Sequence, residues 1–207
     1  MSGSKKQEES TMRKPRDLFT LPPDLPIPTD DGACNHLTGM MLPSLELRST
    51  RGRSINLRDT SQTSTVLFFY PRTGRPEEPA PADWDLIPGA RGCTPQSCGF
   101  RDRHTEFEKL GVKIFGVSSQ STEYQTEFAK RTELQFEILS DEQFALTEAL
   151  KLPTFIYKSM RLIKRLALFA ERGKITKVFY PVFPPDHNAI TVLDWMRARE
   201  RGGTSGA

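Results

Sequence analysis

The sequence predicts an α/β domain with a mixed central sheet flanked by helices, and three observations lead to that fold class. The apolar run "STVLFFYP" (residues 64–71) is typical of a strand buried on both faces and stopped by Pro71. After residue 90, helical and strand patterns alternate, which indicates parallel strands joined by helical crossovers. Two strand-like runs around the turn "ERGK" (residues 171–174) indicate a hairpin, and therefore antiparallel strands in the same sheet.

The remaining elements follow in chain order. "LELRST" and "SINL" predict two short strands before the central one, and "VKIFGVSS" and "FEIL" predict two after it. Helices are expected in "TPQSCGFRDRHTEFEKLG", which Gly111 ends, in "STEYQTEFAKRTEL", and in "NAITVLDWMRARE". Another is expected in "SDEQFALTEAL", where Ser140 and Gln143 have the spacing of a capping box. "RLIKRLALFA" and "ITKVFYPVF" form the predicted hairpin.

Composition predicts one domain with tails. The 207 residues are 36% hydrophobic, which is enough for one sizeable core. We place the domain at residues 29–198, after a disordered or extended arm at 1–28 and before a flexible tail at 199–207. A proline-rich loop at residues 74–91 is inserted after the central strand.

Charge and cysteine content restrict the partners and the compartment. The net charge of +3 is carried mostly near the two ends, without a continuous basic run, so neither nucleic acid nor a membrane is expected as a partner. Three cysteines, and no secretory signal pattern, indicate a reducing compartment. The cytoplasm is therefore predicted, and a nuclear or organellar location stays open.

The stretch "GCTPQSCGFRD" (residues 92–102) places two thiols on one predicted helix. If Thr94 is the N-cap, the helix N-terminus and the charge of Arg91 stabilise a thiolate at Cys93, which makes Cys93 a candidate nucleophile. Cys98 lies five residues on, about 7.5 Å along an intact helix, whereas a disulfide needs Cα atoms roughly 4.4–6.8 Å apart. A bond between Cys93 and Cys98 would therefore require the helix to unwind.

Two plainer explanations of the thiols fit the sequence less well. A permanent structural disulfide fits poorly with this spacing and with a reducing compartment. A zinc site could use Cys93, Cys98 and Cys34 with His36 or His104, but two cysteines separated by four residues are at the edge of the usual spacing. No metal or organic cofactor is expected.

Several motifs in order resemble the peroxiredoxins, most nearly the Q type, or bacterioferritin comigratory protein. They are "FFYP", "GCTPQSCGFRD", "GVKIFGVSS", "EFAKR", "FEILSDEQ" and "LIKRLALF". The resemblance runs from about Asp30 to Met196, and "GCTPQSCGFRD" is its most specific part. It implies a thioredoxin-like fold and a thiol peroxidase that reduces hydrogen peroxide or organic hydroperoxides.

The resemblance also implies roles for individual residues. By matching position, Cys93 is the peroxidatic cysteine and Cys98 is the resolving cysteine, and their disulfide would be reduced by a thioredoxin-type dithiol. The family uses an arginine on a late strand, which Arg165 matches. Lys164 is the alternative register, because neighbouring strand residues face opposite ways, and the planar guanidinium favours Arg165. A monomer or a homodimer is expected.

The family pattern P-x-x-x-T-x-x-C is not continuous here, because Leu86 and Ala90 stand at its proline and threonine positions. We interpret the motif as split, with Pro71 and Thr73 left at the end of the central strand. Thr94 is the alternative source of the hydroxyl.

Two other functions remain possible from the sequence. A thiol-disulfide oxidoreductase is suggested by Pro153 in "LPTFIY", although the usual pair of cysteines two residues apart is absent. A non-catalytic redox sensor or binding module could use the 74–91 loop as a partner surface, with Trp84 as an anchor or folded back onto the domain.

Overall fold

A seven-stranded mixed sheet and a separate two-stranded sheet organise the chain. The computed structural model describes residues 17–78, 81 and 83–203. The strands are β1 (Glu46–Ser49), β2 (Ser54–Asn56), β3 (Thr65–Phe69), β4 (Lys113–Ser118), β5 (Glu137–Ser140), β6 (Thr154–Tyr157), β7 (Met160–Ile163), β8 (Leu166–Glu171) and β9 (Lys174–Phe179). The helices are α1 (Leu57–Thr60), α2 (Cys93–Asp102), α3 (His104–Lys109), α4 (Thr122–Arg131), α5 (Ala145–Leu150) and α6 (Asn188–Gly203).

The strand order in the large sheet is β2-β1-β5-β4-β3-β8-β9. β3, β4 and β5 are parallel, as expected for strands joined by helices, whereas β8 runs antiparallel to β3 and pairs with β9 in a hairpin. The predicted α/β class with a mixed sheet is therefore confirmed. β3 has a neighbouring strand on each edge, β4 and β8, so the C-terminal end of β3 lies inside the domain and not at its rim.

Both faces of the sheet are covered, which explains the continuous apolar sequence of β3. Val66 and Phe68 point into a core shared with α2, α3, α4 and α6. Leu67 and Phe69 point into a second core shared with α1 and α5. All five residues of β3 are buried, so the alternation of buried apolar and exposed polar residues that is typical of a half-exposed strand does not occur there.

Two predicted helix caps were wrong. α2 begins at Cys93, just before Thr94, but its N-cap is Gly92 and not Thr94. The predicted capping box at Ser140 does not form, because Ser140 ends β5 and its hydroxyl donates to the carbonyl of Gln120 at 2.8 Å. Instead the carboxylate of Asp141 accepts hydrogen bonds from the backbone N–H groups at the start of α5, both at 2.9 Å.

The predicted strand in "RLIKRLALFA" is broken in two. Its first part is β7, which pairs with β6 in the small sheet, and its second part is β8. Lys164 and Arg165 lie between the two strands. The break matters for function, since it allows these two cations to point in unrelated directions.

The predicted ends of the domain need one correction. α6 continues to Gly203, so a flexible tail does not begin at residue 199. Arg199 is held there by an ion pair with Glu171, its nitrogen 2.6 Å from the carboxylate oxygen. Residues 204–207, residues 1–16 of the predicted arm, and residues 79, 80 and 82 of the inserted loop lie outside the described part. Within the described ranges, no helix has the length and apolar character to cross a membrane.

Candidate active site

Cys93 lies in the first turn of α2, at the edge of the sheet where β3 ends. The preceding Gly92 has φ +102°, and a Cβ there would stand 2.3 Å from Cγ of Pro185, so this turn requires glycine. The thiol of Cys93 is 4% exposed, and its Sγ lies 3.6 Å from the carbonyl oxygen of Ala90. The unpaired N–H groups of the first helical turn stabilise negative charge at this position.

Arg165 contacts that sulfur directly. Its Nη2 lies 3.2 Å from Sγ of Cys93 and also donates to the carbonyl oxygens of Ala90 and Arg91, both at 3.1 Å. Its Nε donates to the carbonyl of Gly89 at 3.2 Å. These bonds hold the guanidinium plane in one orientation with one edge toward the sulfur.

Among the described residues, no carboxylate neutralises the charge of Arg165. Its side chain is 3% exposed, and among the described residues its hydrogen bonds go to carbonyl oxygens, an amide oxygen and the thiol, and none goes to a carboxylate. A buried charge without a counterion is unfavourable. The Cys93 sulfur lies next to this cation, so a negative charge that develops on the sulfur would be close to Arg165.

Lys164 is directed elsewhere. Its Nζ lies 2.7 Å from Oδ2 of Asp31 and 3.4 Å from the hydroxyl of Tyr180, near the protein surface. Hydrogen bonds from Lys164 and Tyr180 lower the pKa of Asp31 to about 2. Of the two adjacent cations, the structure brings only Arg165 to the sulfur.

Thr73 and Cys93 line one pocket, although twenty positions separate them in the chain. Thr73 is buried, and its N–H and hydroxyl both donate to the side-chain oxygen of Gln120, at 2.7 and 3.1 Å. Thr94 is also buried and lines the same pocket. Ala90 is fully buried, and its carbonyl oxygen faces both Cys93 and Arg165.

Part of the inserted loop is fixed against the domain. It contains a 3₁₀ turn, Trp84–Leu86, and the Trp84 ring packs edge-on against Tyr157 at a centroid distance of 5.1 Å. The Tyr157 hydroxyl donates to Asp83 at 2.5 Å. Trp84 is 7% exposed and lines the Cys93 pocket, so its side chain folds back onto the domain.

Cys98 lies in the unbroken part of α2 and is 8% exposed. Burial raises its pKa above the ordinary value for a thiol, more than the nearby Arg101 lowers it. Both Cys93 and Cys98 are free thiols. The intact helix keeps them too far apart to bond, as its spacing predicts.

The third cysteine and the histidines do not extend this site. Cys34 lies in the core on the opposite face of the sheet from Cys93, and burial raises its pKa to about 12. The ring Nε2 of His36 lies 2.9 Å from the carbonyl oxygen of Leu150. Within the described ranges, no group of three or more histidines, cysteines or carboxylates is arranged to hold a metal.

Two residues of the site have no clear sequence signal. Gln96 is fully buried, its side-chain oxygen accepts from Nη1 of Arg165, and its amide nitrogen donates to Oδ1 of Asn188 at 2.9 Å. Asn188 is the first residue of α6 and is 2% exposed. Only the position of Gln96 three residues after Cys93, on the same face of a helix, could have suggested its importance.

A thiol at a helix start, facing a buried arginine on a thioredoxin-like sheet, defines a class of redox protein. The family model described as Redoxin matches residues 37–193, and the chain belongs to that family.

Within the family, the curated relatives are peroxiredoxins. Peroxiredoxin Bcp of Bacillus subtilis is 31% identical over 155 residues, which is 73% of this chain and 89% of the relative. Peroxiredoxin Bcp of Escherichia coli is 29% identical over 77% of this chain and 94% of the relative. The chloroplastic peroxiredoxin Q of Sedum lineare is 28% identical over 77% of each chain.

The solved structures agree. Peroxidoxin BcpB of Mycobacterium tuberculosis superposes with a TM-score of 0.64 and 25% identity, over 78% of this chain and 96% of that one. The predicted thioredoxin-like fold and the peroxiredoxin resemblance are therefore confirmed, and the chain is a peroxiredoxin of the Bcp and Q type.

Proposed function

We propose that this peroxiredoxin reduces hydroperoxides with Cys93 as the peroxidatic residue and Cys98 as the resolving residue. The contact between Arg165 and the Cys93 sulfur at 3.2 Å carries this assignment. It joins a buried thiol to a buried cation that has no carboxylate partner among the described residues. Such a pair is expected to hold a thiolate, which is the reactive form toward peroxide.

In the first step the Cys93 thiolate attacks one oxygen of the peroxide. The sulfur–oxygen bond forms as the oxygen–oxygen bond breaks, and the departing alkoxide or hydroxide takes up a proton and leaves as an alcohol or water. Arg165 donates toward the developing negative charge on the oxygens as well as to sulfur, because its planar fork has several N–H groups. Thr73 or Thr94 supplies the pocket hydroxyl that orients the peroxide.

In the second step the Cys98 thiol displaces hydroxide from the Cys93 sulfenic acid, and water and a disulfide are the products. This step requires α2 to unwind. The helix is held by close packing, since a Cβ on Gly99 would stand only 2.8 Å from the carbonyl oxygen of Asp186. Unwinding therefore breaks the contact between α2 and the 3₁₀ turn Pro185–His187, and it exposes Cys98.

An external dithiol of the thioredoxin type would reduce the disulfide and return both thiols. The substrates would be hydrogen peroxide and organic hydroperoxides. A structural relative of 22% identity, the bacterioferritin comigratory protein of Xanthomonas campestris, is described as having alkyl peroxide reduction activity. We expect the chain to act in the cytoplasm as a monomer or homodimer.

Intact mass spectrometry after one equivalent of peroxide tests the cysteine roles. The wild type should lose two hydrogens within seconds, Cys98→Ser should gain one oxygen, and Cys93→Ser should not react on that timescale. Cys34→Ser is the matched control and should behave as the wild type. An equally slow reaction in all four proteins would refute the peroxidase function and favour a non-catalytic redox module.

A further inference from the structure

A short N-terminal segment contributes one residue to the wall of the Cys93 pocket. We call residues 17–21 ("DLFTL") the strap. It lies outside residues 37–193, the range that the Redoxin family model matches, so it is not part of the matched family core. The family core alone therefore does not account for the whole pocket.

Arg91 fixes the strap in place. Its guanidinium is 8% exposed, and its Nη2 donates to the backbone carbonyls of Asp17 and Thr20, the second at 3.1 Å. Because Arg91 stands two residues before Cys93, the strap is anchored at the start of the catalytic helix. An arginine bound to two carbonyls of one short segment fixes both the position and the direction of that segment.

The anchored strap places Leu18 in the pocket wall. Leu18 lines the same pocket as Cys93, and its Cδ2 lies 3.7 Å from where a Cβ on Gly74 would stand. Among the described residues, Pro81 and Trp84 are the other apolar side chains that line this pocket besides Cys93. Leu18 is half-buried, so part of its apolar surface remains exposed.

Hydrogen peroxide has no apolar part and gains nothing from such a wall, whereas the substituent of an organic hydroperoxide would bury surface against it. We propose that the strap recognises the apolar substituent of an organic hydroperoxide. In this arrangement Leu18 determines specificity and Arg91 is the positioning residue. The inference rests on the proposed peroxidase function.

The test compares two substrates in single-turnover stopped-flow, following the fluorescence change on oxidation of the reduced protein. The quantity is the second-order rate constant for cumene hydroperoxide divided by that for hydrogen peroxide. In Leu18→Ala this ratio should fall about fivefold, the loss expected when a half-buried leucine is truncated. The hydrogen peroxide constant itself should change less than about twofold, because that substrate does not use the wall.

Matched variants separate a loss of substrate recognition by Leu18 from a general disturbance of the strap. Phe19→Ala is the control, because Phe19 is in the strap but is 52% exposed and does not line the pocket. Leu18→Asn, similar in size but polar, should lower the ratio at least as much as Leu18→Ala. Arg91→Met should lower the ratio too, since the strap is no longer held.

A ratio that is unchanged or higher in Leu18→Ala and Leu18→Asn would overturn the inference, and a higher one would mean that the strap obstructs organic substrates. A wrong assignment of the peroxidase function would give a different result from a wrong assignment of the strap. In that case the wild type itself would not react rapidly with either hydroperoxide.

Discussion

Replacing Arg165 with methionine tests the electrostatics of the site most directly. The change removes the charge next to Sγ of Cys93 and keeps a side chain of similar length. For charge centres about 4 Å apart at an effective dielectric constant of about 20, the attraction is about 4 kcal/mol. Both side chains are more than nine-tenths buried, so solvent screening is weak. The helix N-terminus still stabilises the thiolate in the variant, which makes this figure an upper limit.

The loss corresponds to roughly two to three orders of magnitude in the rate constant for oxidation by hydrogen peroxide near pH 7. Stopped-flow kinetics measure that constant, and circular dichroism checks that the fold is retained. Lys164→Met is the matched control, because the adjacent cation bonds Asp31 and not the sulfur. A folded Arg165→Met protein that reacts within tenfold of the wild type would refute the assignment of Arg165 as the thiolate partner.

Three further predictions concern other charged or ionisable groups. Gln96→Glu places a carboxylate against Arg165, so peroxide oxidation should slow about tenfold, and an unchanged rate would contradict the role of the uncompensated charge. Burial raises the pKa of Cys34 to about 12, so iodoacetamide at pH 8 should label Cys93 well before Cys34, which peptide mass spectrometry would show; equal labelling rates would contradict this. The pKa of Asp31 falls to about 2, below its unfolded value, so its carboxylate stabilises the fold above pH 4 and loses that effect as the pH falls toward 2. Asp31→Asn should therefore reduce the free energy of unfolding at pH 6, by less than about 1 kcal/mol because the pair is exposed, and urea titrations should show this difference shrinking near pH 2.

The parts of the fold that were predictable have strong local patterns. β3 is apolar at every position after Thr65 because both of its faces are covered. The helix of Cys93 and Cys98 lies within the stretch "TPQSCGFRDRHTEFEKLG" and the residue before it, where the local pattern predicts a helix. The predicted helix cap that was wrong at α5 depends on contacts between residues far apart in the chain. α5 is capped by Asp141 rather than Ser140, because the Ser140 hydroxyl is taken by the carbonyl of Gln120.

The residues of the Cys93 pocket also divide into those that a local pattern predicts and those that depend on distant contacts. A threonine after β3 could be picked out from the resemblance, but its place in the Cys93 pocket depends on the path of an inserted loop that has no periodic pattern. The strap was even less predictable, since "DLFTL" has no features of a functional motif. Its place beside the pocket depends on Arg91, more than seventy positions away in the chain.

The sequence by itself determined the α/β class, the thiol pair, and the spacing that prevents a disulfide in an intact helix, because each depends on residues close together in the chain. Only the tertiary structure decided that Arg165 and not Lys164 meets the sulfur, and that Gln96 holds the other side of that guanidinium. The physical reason is that these contacts join residues about seventy positions apart. Packing of the sheet against α2 brings such pairs of residues into contact, and no pattern of neighbouring residues in the sequence predicts them.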